Sequence, residues 1–540
     1  MGDRRAFREV KAGTRFSDAV RQAYARGEED ELMEPMVAVG PVGAPRGRIR
    51  RGDSVIFYNI RGEREFELTR ALADPAFSYF GRPDALPGRM ATMIEYEKGL
   101  PVRVAFPPVG RVENTLGEVL SRHGVRQLRV VESEKAIHVS YFLNGKRTEP
   151  FPLEERVVVP SDKSVRNFDE LPEMNAASVA DVLLDGLRRR RHGFVLGNFA
   201  NVDVVGHTER NEPVRRAIQT VDRQAGRVIE EARRLGWITV VTADHGTVEK
   251  RFYPDGAVDT GHSDSPVPFI LVLPEGFKTL RLRKGGSLVD VAPTVLDLLG
   301  LPVPEEMTGR SLIQKEADLL SGGAAGQGRA GEQGRPRLLL LILDGWGHQN
   351  RTEGNLIAET PTPFMDFLLR SCPWTCLEAA GLSVGMPAGS VGNSECGHLH
   401  IGAGRVVPSD RVRIDEAIRT GSFFENPVFR WAMEPAKNVG CALHLLGIVS
   451  FYSSHGPLDY LLALMEMARR EQVREVYIHG LLGRRGERPE SGAIYVGKVE
   501  DRARELGLGE VVTIMGRYWA MDREENWDRI EKAYRALVGA

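Results

Sequence analysis

Six residues able to hold a metal ion stand beside apolar runs of the chain. LLLLILD ends in Asp344, WITVVTADHG ends in Asp244 and His245, and GFVLGNFANVDVVGH delivers Asp203 and His207. TGHSDSPVPFILV sets His262 just before its run. Such a mixture of carboxylate oxygens and imidazole nitrogens suits Mn²⁺ or Zn²⁺ better than Mg²⁺, which prefers oxygen and water. Any one of these residues could be a loop turn or a helix cap, and D-x-x-x-H alone is a weak pattern. Their joint occurrence carries the reading, because ligands of open α/β sheets gather at the carboxyl ends of strands.

A nucleophile stands in GSVGNSECGHLHIGAG, residues 389–404, where glycines around Ser394 permit close backbone approach. A serine oxygen on a metal loses proton affinity and attacks without a histidine base. The alternative is a Gly-rich turn with a hydrogen-bonded serine. A hydrolase elbow is excluded, since Cys396 stands where G-x-S-x-G needs its second glycine.

Cations complete the chemistry. Arg61 and Arg64 lie in IRGER after an apolar run, Arg517 and Arg523 lie in GRYWAMDR, and Lys135 lies in ESEKAIH. Guanidinium forks match phosphate and carboxylate in two-point geometry. Most surface arginines only solvate a face. These are set apart by their places at strand ends and turns among small or aromatic residues.

The elements that must position these groups alternate between strand and helix. Phe194 to Phe199, Trp237 to Val241, Phe269 to Leu273 and Leu338 to Leu343 read as buried parallel strands. Between the first two, Val214, Ile218, Val221, Ala225, Val228, Ala232 and Leu235 mark an amphipathic helix, with Gly236 at its C-terminal end. A second α/β set begins at Val55 to Ile60 and resumes after residue 440. The pattern predicts an α/β protein built on mainly parallel sheet covered on both faces. At 540 residues, two or three domains are expected. The stretch LSGGAAGQGRAGEQGRP, about 320–336, has little to bury and reads as a flexible linker or, equally on composition, a surface loop.

Composition narrows the class of partner. Hydrophobic residues make up 42%, charged residues 27%, and the formal net charge is −2. No field is present to attract nucleic acid or an anionic membrane. The start, MGDRRAFREV, lacks an apolar signal region, and Leu338 to Leu343 falls far short of the roughly 20 residues that span a bilayer. Four cysteines without a C-x-x-C pair form no disulfide framework. A soluble, monomeric protein of a reducing cytoplasm is expected.

At LDGWG, GNSECGHLHIGAGR, GRYWAMDR, NVDVVGHT, TADHG and SPVPFILV the chain resembles the cofactor-independent phosphoglycerate mutases of the alkaline phosphatase superfamily. The order differs. The strand entering LDGWG, the family's usual start, stands at about residue 337. EMTGRSLI, its usual end, stands at 306–313, and WDRIEKAYRAL, from its middle, stands near the C-terminus. A circularly permuted chain is therefore implied.

The resemblance implies a two-metal phosphoserine enzyme that interconverts 3- and 2-phosphoglycerate in glycolysis and gluconeogenesis. It implies an alkaline-phosphatase-like domain at 110–408, with the linker at about 317–336 inside it, and a transferase domain from 1–109 and 409–540. Asp203, His207 and His262 would hold one divalent metal, taken as Mn²⁺. Asp244, His245, Asp344 and the nucleophile Ser394 would hold the second. His455, Arg485, Arg517, Arg523, Arg61, Arg64 and Lys135 would bind the small-molecule substrate.

Two stretches depart from the family pattern, SFYSSH at 450–455 and GRRG at 483–486. In the second, Gly486 replaces an aspartate that helps hold glycerate. Another metal-dependent phosphomonoesterase or phosphomutase of the superfamily is the main alternative. A non-catalytic relic is a third.

Overall fold

A computed structural model describes residues 7–82, 87–162, 164–165, 167–277, 280–314, 335–451, 453–483 and 490–539. Arg485, Gly486 and most of the expected linker lie outside the described residues. The chain divides into a continuous unit, Val109–Ser409, and a split unit made of Met1–Pro108 and Asp410–Ala540.

The continuous unit is built on a seven-stranded sheet. Its order is Trp374–Leu377, Val267–Val272, Ile238–Thr242, Leu338–Leu343, Phe194–Phe199, Gln127–Glu132 and Glu154–Val159. The last five run parallel to one another. Every side chain of Leu338–Leu343 is buried, because helices cover both faces of a parallel sheet and leave no polar side for it. The helix Asn211–Arg234 buries Val214, Ile218, Val221, Ala225, Val228 and Ala232. It stops at Leu235, followed by Gly236 at φ +81°, a left-handed conformation that suits glycine.

One strand departs from the expected direction. Val267–Val272 runs antiparallel to Ile238–Thr242. Residues 243–266 contain no helix to carry the chain back across the sheet, so it returns by a loop and must reverse. The start of this strand therefore shares an edge with the carboxyl ends of its neighbours, which brings His262 to the same edge as Asp244 and Asp344.

The split unit has an eight-stranded sheet. Its order is Arg8–Lys11, Met36–Val39, Glu510–Gly516, Val476–Leu482, Leu443–Ile448, Ser54–Phe57, Arg89–Thr92 and Arg103–Val104. Only the pairing of Met36–Val39 with Glu510–Gly516 is antiparallel. The protein is thus α/β with two mainly parallel sheets. No described helix is long and apolar enough to cross a membrane.

Candidate metal centre

Asp344 follows the central strand Leu338–Leu343, and its carboxylate is fully buried. Asp203 lies in the short helix Asn201–Gly206 after Phe194–Phe199, and its backbone N–H donates to Asp344 O at 3.1 Å. Asp244 and His245 follow Ile238–Thr242, and Lys135 closes the turn after Gln127–Glu132. Four neighbouring strands thus deliver three carboxylates, an imidazole and an ammonium to one edge.

Ser394 reaches the same point from a helix. It is the first residue of Ser394–Ala403, where Asn393 caps the end by accepting from Cys396 N. That helix comes close because position 397 is glycine: a Cβ there would overlap the Asp244 carbonyl oxygen. Ser394 Oγ then sits 2.9 Å from His245 Nε2, donates to Asp344 Oδ1 at 3.2 Å and lies 2.5 Å from Lys135 Nζ. Exposed N–H groups and the helix dipole favour negative charge at this hydroxyl.

His207 and His262 complete the rim. Their Nε2 atoms lie 3.4 and 3.1 Å from Asp203 Oδ1 and 3.2 Å from each other. In each ring Nδ1 is occupied by a backbone carbonyl, Thr260 O at 2.7 Å for His207 and Gly392 O at 2.9 Å for His262. His245 repeats the arrangement, with Nδ1 3.2 Å from Gly246 O. Carbonyls that hold Nδ1–H leave Nε2 as the free lone pair facing the carboxylates, the form in which histidine ligates a metal.

Charge at the site is unbalanced. Lys135 donates to Asp203 Oδ2 and Asp344 Oδ1, both at 2.6 Å. Burial opposes its charge, but Asp344, Asp203 and Asp244 together hold the ammonium well above its ordinary range. One ammonium against three buried carboxylates leaves a net deficit of positive charge. Asp244 Oδ2 is buried and accepts no hydrogen bond.

Sequence reading missed two members of this set. His398, one turn after Ser394, lies with Nδ1 2.9 Å from Ser394 O and 3.2 Å from Asp244 Oδ2. Asn198 donates to Asp344 Oδ2 at 2.9 Å and lies 3.1 Å from His398 Nε2. The signal for His398 was its i+4 spacing from Ser394 on a helix. Asn198, the one large polar residue of a buried strand, was visible as an anomaly of composition.

The split unit gathers the other cations. His455 is buried, with Nδ1 2.7 Å from Glu65 Oε1, and its carbonyl accepts from Ile60 N. Arg61 pairs with Glu63 at 3.0 Å and donates to Ser454 Oγ at 3.5 Å. Arg523 reaches the same Glu63 at 3.4 Å, and Arg64 donates to Met521 O at 3.2 Å. Arg517 follows Glu510–Gly516 and is buried, 3.9 Å from Glu31. Glu63 and Glu65, which tie these groups together, were not singled out from sequence, although both stand beside Arg64.

A family model described as the Metalloenzyme superfamily matches residues 17–303, more than half of the chain. The chain belongs to the metalloenzyme superfamily. A second model, BPG-independent PGAM N-terminus, matches residues 414–540. The metalloenzyme is 46% identical over 304 residues to a 2,3-bisphosphoglycerate-independent phosphoglycerate mutase of Thermomicrobium roseum, covering 55% of this chain and 57% of that protein. A protein of the same description from Pseudomonas aeruginosa is 43% identical over 298 residues, covering 55% and 56%. A crystal structure of Leishmania mexicana phosphoglycerate mutase at low cobalt concentration aligns at 28% identity, with TM-score 0.37, over 57% of this chain and 59% of that one. The chain spans a little over half the length of the curated relatives it matches.

The donor set of this metalloenzyme fits divalent metal ions. Three overlapping groups bring their ligand atoms within 4.8 Å of one another: Asp203, His207 and His262; Asp203, His245 and Asp344; and Asp244, Asp344 and His398. Buried carboxylates require compensating charge. The buried carboxylate oxygens, with the imidazole nitrogens that face them, mark where it would be held.

Proposed function

We propose that this chain interconverts 3-phosphoglycerate and 2-phosphoglycerate through a phosphoserine at Ser394, as a cytoplasmic enzyme of glycolysis and gluconeogenesis. The observation that carries the reading is the Ser394 hydroxyl, set at a helix N-terminus between Lys135, His245 and Asp344. The relatives' description as phosphoglycerate mutases, and the two family models side by side in one chain, support it.

Asp203, His207 and His262 would hold one metal, and Asp244, His245, Asp344 and Ser394 the other, with Mn²⁺ favoured by the oxygen and nitrogen donors. When bound, the ions lower the proton affinity of Ser394 and offset charge on phosphoryl oxygens. Lys135 supplies a fixed ammonium for the phosphoryl group, and the helix N-terminus favours the anion formed on Ser394. Arg61, Arg64, Arg517 and Arg523, with Arg485, hold the substrate's carboxylate and phosphate as planar forks. Glu65 fixes one nitrogen of His455 and leaves the other for a glycerate hydroxyl. Glycerate keeps its place while it turns, and its other hydroxyl takes the phosphoryl group from Ser394.

The order of parts supports a circular permutation. A model whose own description places it at an N-terminus matches residues 414–540, after the superfamily match at 17–303. The continuous unit then corresponds to the phosphatase-like domain and the split unit to the transferase domain.

Purified protein supplied with Mn²⁺ and 3-phosphoglycerate, and no 2,3-bisphosphoglycerate, tests the reading. Formation of 2-phosphoglycerate in excess of free phosphate supports it. Free phosphate alone would assign a phosphomonoesterase of the same superfamily instead.

A further inference from the structure

At the edge of the continuous unit's sheet where the strands begin, opposite Asp344 and Ser394, a pocket is lined by Arg126, Arg190, Arg191, Arg335, Arg337 and His192. It is a shallow, open-mouthed pocket with a cavity volume of about 50 Å³. The remaining lining residues are apolar or glycine, namely Gly124, Val125, Gly193, Leu299 and Pro336. No described lining residue is Asp or Glu.

Helix ends account for part of this charge. The helices Leu116–Arg122, Ala176–Arg189, Asn211–Arg234 and Val291–Leu298 all finish here. Arg335 donates to His123 O at 3.0 Å and Arg190 to Leu235 O at 2.9 Å, each a carbonyl at a helix end. Four helix C-termini carry roughly −0.5 charge each, about −2 in all. Five guanidinium groups exceed that by about three charges. The guanidinium groups of Arg126 and Arg191 make no hydrogen bond or ion pair with another described residue, and Arg337 lies over the Trp237 ring at 5.9 Å. Glu155, which is mostly exposed, lies 3.0 Å from His192.

We infer that this pocket binds a compact polyphosphate anion. Converging planar forks present paired N–H donors that match phosphate oxygens. A single phosphate offsets only part of the excess positive charge, whereas two linked phosphates bring enough negative charge to offset all of it. The apolar floor leaves the anion's oxygens to the arginines alone. Neither the metal ligands nor Lys135 contribute to this pocket.

Calorimetric titration of metal-stripped protein in EDTA with inorganic pyrophosphate tests the site. One-to-one binding is expected, at least ten-fold tighter than inorganic phosphate and weakening steeply with salt. The double variant Arg126→Gln, Arg191→Gln, at two exposed positions, should bind at least ten-fold more weakly with unchanged melting temperature. Arg337→Gln should weaken binding independently, and Ser394→Ala should not. Absence of binding, equal affinity for phosphate and pyrophosphate, or binding that survives the double variant would each overturn the assignment.

Discussion

Lys135 Nζ lies 2.5 Å from Ser394 Oγ. The same ammonium holds Asp203 and Asp344, so one side chain serves both the proposed nucleophile and the charge balance of the site. Lys135→Met should separate the two roles. Removing one partner of a buried ion pair costs about 3–5 kcal/mol. The metal-stripped variant should therefore melt well below the metal-stripped parent and recover most of the difference with Mn²⁺. Turnover should fall by about 10²–10³, as expected for loss of a preorganised charge. Scanning fluorimetry with and without EDTA checks the first part; equal melting of the two stripped proteins would show that Lys135 does not balance the carboxylates.

Ser394→Ala should leave no phosphoenzyme detectable by intact mass after mixing with 3-phosphoglycerate and Mn²⁺. Loss of one hydroxyl hydrogen bond costs only about 1 kcal/mol. The variant should therefore fold and retain metal, and turnover by it at the parent's rate would move the nucleophile elsewhere.

Chelation should abolish turnover, and Mn²⁺ should restore it without 2,3-bisphosphoglycerate. Asp244→Asn should reduce metal content measured on the purified protein, because Asp244 Oδ2 is buried without a hydrogen-bond partner and is assigned to a metal. Full activity of rigorously metal-free enzyme is the result that sinks the two-metal mechanism.

How far the sequence carried this picture follows from the physics of each part. Leu338–Leu343 was legible because a parallel strand buried on both faces reads as an unbroken apolar run. Asp344 then announced itself as the polar residue at its end. The direction of Val267–Val272 was not legible, since an apolar run carries no sign of which neighbour it pairs with or how. Glu65 stood next to Arg64, yet its importance comes from His455, 390 positions away, which only the folded sheet brings to it. His398 was legible in principle, one helical turn from Ser394.

Burial raises the Glu132 carboxyl to about 7, from an ordinary 4.5. Asn175 N donates to it at 3.1 Å, and the Ser161 hydroxyl beside it opposes the rise without cancelling it. The folded state thus binds the proton more tightly than the unfolded chain. The stabilisation this provides is complete below about pH 4.5 and lost as pH rises through about 7. Glu132→Gln keeps the neutral shape at every pH. Its melting temperature relative to the parent should rise between pH 5 and 8; a constant offset across that range would contradict the assignment.

Gly486 lies outside the described residues, and its prediction rests on the resemblance alone. Without the family's aspartate, the proposed mutase should hold glycerate less firmly and let water compete for the phosphoserine. A positioned acid or base is typically worth about 10²–10⁴ in rate. The parent should release an appreciable share of free phosphate, and Gly486→Asp should lower that share relative to 2-phosphoglycerate. An unchanged ratio would show that glycerate is retained by another route.

The split unit has a consequence for biogenesis. In its sheet, Met36–Val39 and Ser54–Phe57 are separated by three strands drawn from residues 443–516. During translation the flanking strands leave the ribosome first, each with a neighbour on one side only, Arg8–Lys11 for Met36–Val39 and Arg89–Thr92 for Ser54–Phe57. The whole of the continuous unit is made in the interval, with every strand of its own sheet available. At about 5–20 residues per second, some 390 residues separate Ser54 from the strand that pairs with it, so these early strands wait tens of seconds with open edges. Nascent-chain chaperones should therefore engage the first hundred residues for longer than the segment that follows.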